Sequence, residues 1–134
     1  MNANLRQQFD DLLESILGVL PEHLLTLLDE VPLIVEDEPS TLLLQELGID
    51  RRTGDLCGLH WGIALTQRSN LHSGTMPDRI MLFRGPIMRL AHSKSTGKAD
   101  LGQSLHEQIR ITLLHEIGHH FGLDEDDLAE LGYA

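Results

Sequence analysis

Residues 115–131 read HEIGHHFGLDEDDLAEL, with three histidines and six acidic residues around two glycines. Running from upstream into this stretch, Leu105, Ile109, Leu113, Ile117 and Phe121 cover one arc of a helical wheel turned at about 100° per residue. The spacing predicts a long helix over 105–121. Ser104 and Glu107 have the spacing of a capping box, with Asp100 and Gln103 as a rival start one turn earlier. Gly122 stands where a helix takes its left-handed stop, and a short helix is expected over 125–131.

The same stretch carries the chemistry. His115 and His119, four apart, sit one above the other on one helix face, so their ring nitrogens can converge on one ion. Zinc accepts neutral imidazole at about 2.0–2.1 Å, and catalytic sites usually use three protein ligands. Glu116, one residue along, can flank such an ion without binding it. From there it can take a proton from the attacking water and later deliver it to a leaving amine. This is the HExxH pattern. Gly118 and Gly122 fall beside the histidine face, where small residues permit close approach of backbone or substrate. His120 falls inside the apolar arc and is expected to be a buried, hydrogen-bonded histidine.

A third ligand must follow the turn at Gly122, and Asp124, Glu125, Asp126 and Asp127 compete. Asp124 stands at the N-cap of the last helix with Asp127 three residues on, so backbone N–H groups are expected to occupy its oxygen. Glu125, three after Gly122, is where longer HExxHxxGxx motifs place the third ligand. Glu125 is preferred, with Asp126 and Asp124 as alternatives. Against this stands a plainer reading, since the helix dipole alone favours acids in a first turn.

Elsewhere, residues 5–20 place Leu5, Phe9, Leu12, Leu13, Ile16 and Leu20 at helical spacing, and Pro21 opens a second helix. VPLIVEDE (31–38) reads as a strand broken by Pro39, and STLLLQELG (40–48) as a helix closed by Gly48. LCGLHWGIAL (56–65) is a strand or structured loop, and TQRSNLHSGTMPD (66–78) a loop. RIMLFR (79–84) is a third strand ended by Gly85-Pro86, and IMRLAHSKS (87–95) a helix. The order implies one α+β domain over 1–134, with helices around a small mixed three-stranded sheet that has at least one open edge.

With 134 residues the chain can bury a core, and its net charge of −11 argues against nucleic acid and against an anionic membrane surface. A single cysteine cannot form an internal disulfide. The start lacks the pattern of a signal peptide, and no apolar run approaches a membrane span. A cytoplasmic location is expected.

VEDEPS (35–40), PDRIMLFRGPIMR (77–89) and LLHEIGHHFGLDEDDLAELG (113–132) occur in this order. Together they resemble the small bacterial zincin-like metallopeptidase family, and with the helical start the likeness spans most of the chain. The resemblance implies a minimal zincin fold, a small mixed sheet packed on a long active-site helix. It implies Zn2+ held by His115, His119 and Glu125, with Glu116 as general base and a peptide or protein as substrate. The family pattern commonly has Asp at the third-ligand position, so Glu125 is a departure by about one methylene.

Other residues are weighed alongside. RIMLFR is a candidate edge for an added substrate strand, although a plain core strand is the stronger expectation. Arg84 and Tyr133 are candidate oxyanion donors. His60, His72 and His92 are expected to be solvated, and Cys57 an inert core thiol. Residues 93–100 offer a candidate lid. Two functional classes follow: a zinc-dependent hydrolase, foremost a peptidase, or a metal-poor zincin-fold module that binds a protein partner. A metallohydrolase acting on another amide or ester is a third.

Overall fold

Asn2 starts the first helix by accepting the Leu5 N–H at 2.8 Å, and α1 runs Ala3–Gly18. Of its apolar positions Phe9, Leu13 and Ile16 are buried, while Leu5 is 41% exposed. Helix α2 (Glu22–Glu30) follows Pro21, whose φ of −54° suits the entry to a helix. Strand β1 (Leu33–Glu36) leads to α3 (Thr41–Leu47), which is capped by Ser40 and closed by Gly48 at φ +71°. Strands β2 (Gly58–Trp61) and β3 (Arg79–Phe83) precede α4 (Arg84–Lys94), α5 (Leu101–His120) and α6 (Glu125–Glu130). The computed structural model describes residues 1–52, 54–62, 78–97 and 100–130.

The sheet has the order β1-β3-β2. Strand β1 runs parallel to β3, Leu33 opposite Ile80, and β2 runs antiparallel to it, His60 opposite Ile80. The segment RIMLFR is therefore central and cannot be an edge. Its apolar run explains this, since Ile80, Leu82 and Phe83 are fully buried. Here β1 and β2 are the flanking strands.

Helix α5 packs on the sheet with Ile109, Leu113 and Ile117 in a core shared with Phe9, Ile16, Ile80, Leu82 and Ile87. Two local signals were overridden by tertiary contacts. Ser104 does not cap α5; its hydroxyl donates to the Ala91 carbonyl at 2.8 Å and ties α5 to α4, and the helix starts earlier, at Leu101. Phe121 does not extend the apolar arc, because the helix has ended and its ring is 40% exposed. The strand-to-helix change at Gly85-Pro86 is immediate, with α4 starting at Arg84. A side chain at position 85 would collide with Glu38, so the close approach there requires glycine. Among the described residues no helix is long and apolar enough to cross a membrane.

Candidate metal centre

The end of α5 closes by a left-handed turn. Gly122, at φ +88°, donates its N–H to the His119 carbonyl, and Leu123 donates to the Gly118 carbonyl, each at 3.0 Å. This pair of bonds is a Schellman motif. It reverses the chain, and α6 returns across the end of α5. Leu128, fully buried, seats α6 on Gly118, where an added Cβ would lie 2.4 Å from Leu128 Cδ2. Gly118 is thus small for helix packing and not for substrate. Asp124 and Asp127 cap the start of α6 reciprocally, the Asp127 N–H donating to Asp124 at 2.9 Å and the Asp124 N–H to Asp127 at 3.1 Å.

With Asp124 engaged in its cap, the returning chain presents Glu125. Its Oε1 lies 3.3 Å from His115 Nε2 and 3.0 Å from His119 Nε2, and the two nitrogens are 3.0 Å apart. These three residues form a group able to hold a metal ion, and neither Asp124 nor Asp126 joins it. A tetrahedral ion bound at 2.0–2.1 Å needs donor atoms about 3.3–3.4 Å apart; one separation matches and the other two are about 0.3–0.4 Å shorter, a small outward adjustment away from a zinc site. The second ring nitrogen of His119 strengthens the fit. His119 Nδ1 is 3.0 Å from the Leu123 carbonyl, a contact that in a neutral ring puts the proton on Nδ1 and leaves Nε2 its lone pair.

Glu116 lies beside this group and is only 7% exposed. Burial pushes its carboxyl up from the usual range; His115, His119 and a hydrogen bond from the His60 backbone N–H pull it down, in that order. Strand β2 can supply that N–H because Gly58 lets it close on α5. A Cβ there would sit 2.8 Å from Thr112 Cγ2 and 3.1 Å from Glu116 Cγ. The cleft over these groups has a volume of about 500 Å³ and is bounded by Gly58, Leu59 and His60 of β2, by α5, and by the Gly122–Glu125 turn.

Several expectations are corrected. His60 is not solvated: its side chain is 7% exposed and faces Asp78, itself 7% exposed. Asp78 also meets His120, 4% exposed, Nδ1 to Oδ2 at 2.9 Å. His120 is buried and paired, as its place on the arc predicts. Asp78 has no signal in the sequence beyond its place just ahead of the apolar strand. Arg84 does not line the cleft, because its guanidinium is held by Asp10 and Asp37 over the Phe9 ring. Of the candidate lid 93–100, Ser93 and Lys94 belong to α4, and Asp100 precedes α5 at the end that at 1.5 Å per residue lies roughly 22–28 Å from the two histidines; residues 98 and 99 lie outside the described residues. His92 is exposed, as expected. Tyr133 and His72 lie outside the described residues.

No curated protein matches the chain. The family model of the zincin-like metallopeptidases matches residues 28–133, which include every residue of the cleft. The family implies a metal ion, usually zinc, and a peptide or protein substrate. Over more than half its length, and with a His, His, carboxylate group at the end of its long helix, the chain belongs to the zincin-like metallopeptidase family.

Proposed function

We propose that the protein is a zinc-dependent peptidase in which His115, His119 and Glu125 hold the metal and Glu116 is the general base. The observation that carries this is the set of separations of 3.0, 3.0 and 3.3 Å among the three donor atoms, beside a buried carboxylate in the same cleft. Zinc bound there supplies Lewis-acid polarisation of a carbonyl and acidifies water. Glu116 takes a proton from the attacking water onto a carboxylate oxygen as the water oxygen bonds to the scissile carbon. It returns that proton to the amide nitrogen as the C–N bond breaks. The His60 N–H fixes the Glu116 carboxylate in place during both transfers.

Strand β2 fits the role of substrate rail. Its one strand neighbour among the described residues is β3, so its other side carries no strand partner there. The Phe83 N–H donates to the Cys57 carbonyl at 2.8 Å, so by antiparallel alternation Gly58 and His60 turn their backbone groups to the open side. The His60 N–H serves Glu116, and the Gly58 groups face where an extended peptide would add.

The test is the metal content of tag-free protein purified without chelator and titrated with zinc, followed by a peptide-library cleavage screen. One zinc per chain, with cleavage lost in Glu116→Gln, is expected. A His115→Ala protein that still held one zinc per chain would refute the proposed site.

A further inference from the structure

The second cluster of ionisable groups lies one residue beyond the first. Asp78, at the start of β3, carries a carboxylate 7% exposed between two imidazoles. His120 Nδ1, on α5, is 2.9 Å from Oδ2, and His60 Nε2, on β2, is 3.9 Å from the same oxygen. The two rings stand edge to face with centroids 5.3 Å apart. The chain makes room for this carboxylate, because Gly62, at φ +135°, has its Cβ direction aimed at Asp78 Oδ1, 2.0 Å away. A carboxylate taken this far out of water is costly unless its charge is met, so its partners are constrained to stay.

Each partner is one link from the proposed metal centre. His120 follows His119 on the last turn of α5. The backbone N–H of His60 donates to Glu116. One carboxylate therefore stands in ion-pair range of both the helix end that carries a proposed ligand and the strand that holds the proposed base. Separations of 2.9 and 3.9 Å contrast with the even 3.0–3.3 Å of the first group, and the shorter one is a close carboxylate–imidazole contact. His60, Asp78 and His120 also form a group able to hold a metal ion, but the uneven separations favour a carboxylate set between two imidazoles.

We propose that Asp78 is a positioning residue for the metal centre, clamping His120 and His60 so that His119 and Glu116 keep their places. This rests on the metal-centre reading above. The test is a titration of the metal-free full-length protein with Co2+ alone, followed by the visible absorption of the bound ion, with melting temperatures of the metal-free forms recorded alongside. In Asp78→Ala the Co2+ affinity is expected to fall about 10–100-fold, with a shifted absorption band. Asp78→Asn keeps an acceptor and is expected to recover most of the affinity and the original band. A merely structural role would lower the melting temperature and leave the band where it was.

Wild-type affinity and band in Asp78→Ala would overturn the proposal and leave the metal centre standing. Equal losses in the Asn and Ala variants would overturn the acceptor role. A second equivalent of Co2+ in the wild type, lost in Asp78→Asn, would replace it with a second metal site. No Co2+ binding by the wild type would overturn this proposal and the metal centre together. Should Asp78→Ala not fold, the double variant Asp78→Asn, His120→Phe removes the contact without stranding a charge and carries the same expected and overturning results.

Discussion

Two groups of two histidines and a carboxylate meet at the end of α5, and they face different media. In the first, the Glu125 side chain is 70% exposed and the donor atoms are evenly spaced. In the second, Asp78 is 7% exposed and one histidine sits close against it. An open, even set suits a partner that arrives from solution. A closed, uneven set is satisfied by its own members. The residue types are nearly the same, so what separates a candidate ligand set from a brace is burial and spacing.

The largest expected effect breaks the first group outright. Each ligand contributes roughly a third of the about 10–16 kcal/mol typical of tight zinc sites. His119→Ala or His115→Ala should therefore weaken zinc binding by two to nearly four orders of magnitude. Competition with a chromophoric chelator measures this. The same titration on His120→Asn, in the second group, should show a far smaller loss. Equal losses would mean that both groups coordinate metal and that the contrast is wrong.

Next comes a change that separates holding the metal from using it. Glu116→Gln keeps the shape and the hydrogen bond from the His60 N–H, and removes the proton acceptor. Zinc content should be unchanged, while turnover of any peptide found in the screen falls about 10²–10⁴-fold. Parallel metal analysis and progress curves decide it. Loss of zinc would place Glu116 among the ligands.

Both the legible and the illegible parts of the site follow from distance along the chain. His115, His119, Gly122 and Glu125 lie within eleven residues, and their placement rests on helix spacing and a glycine stop, which local sequence encodes. Glu125 prevails over Asp124 in reaching the histidines because the capping bonds hold Asp124, a local competition visible in the residues. The Asp78 cluster joins positions 60, 78 and 120, and its existence depends on the register of β2 on β3. Nothing near His60 in sequence announces a buried carboxylate. The Ser104 cap signal misled for a related reason, since a carbonyl of α4 offered its hydroxyl a better partner than its own helix did. The central place of RIMLFR was legible as an apolar run, whereas its two neighbours in the sheet were not.

A smaller effect comes from the seat of α6. Gly118→Ala places a methyl group against Leu128, whose side chain is fully buried. Overpacking of this kind costs about 1–3 kcal/mol, offset by about 1 kcal/mol of helix propensity. A net loss near 1 kcal/mol lowers the melting temperature by roughly 3–6 °C. The displaced helix carries Glu125, so zinc affinity should fall as well. The Asp78 cluster, which has no member on α6, should be untouched. Unchanged zinc affinity with a lowered melting temperature would show that Glu125 follows the metal and not the helix.

The smallest effect concerns Cys57, which precedes the glycine that lets β2 close on α5. Burial, with a smaller contribution from Asp55, pushes its thiol up to about 11 from an ordinary value of 9.0. The thiol is therefore neutral at pH 8, and native protein should react slowly with a disulfide reagent that reacts fast with the unfolded chain. Because burial penalises the thiolate, this site costs the fold nothing below pH 9, and stability is lost as pH rises from 9.0 through about 11. The same assay shows how far along β2 the Asp78 clamp acts. Gly58 is held against Thr112 and Glu116, whereas His60 is held by Asp78. Asp78→Ala should leave the Cys57 rate unchanged even as metal binding weakens. A faster rate would mean that the clamp holds the whole strand on α5, and that the two clusters are one mechanical unit.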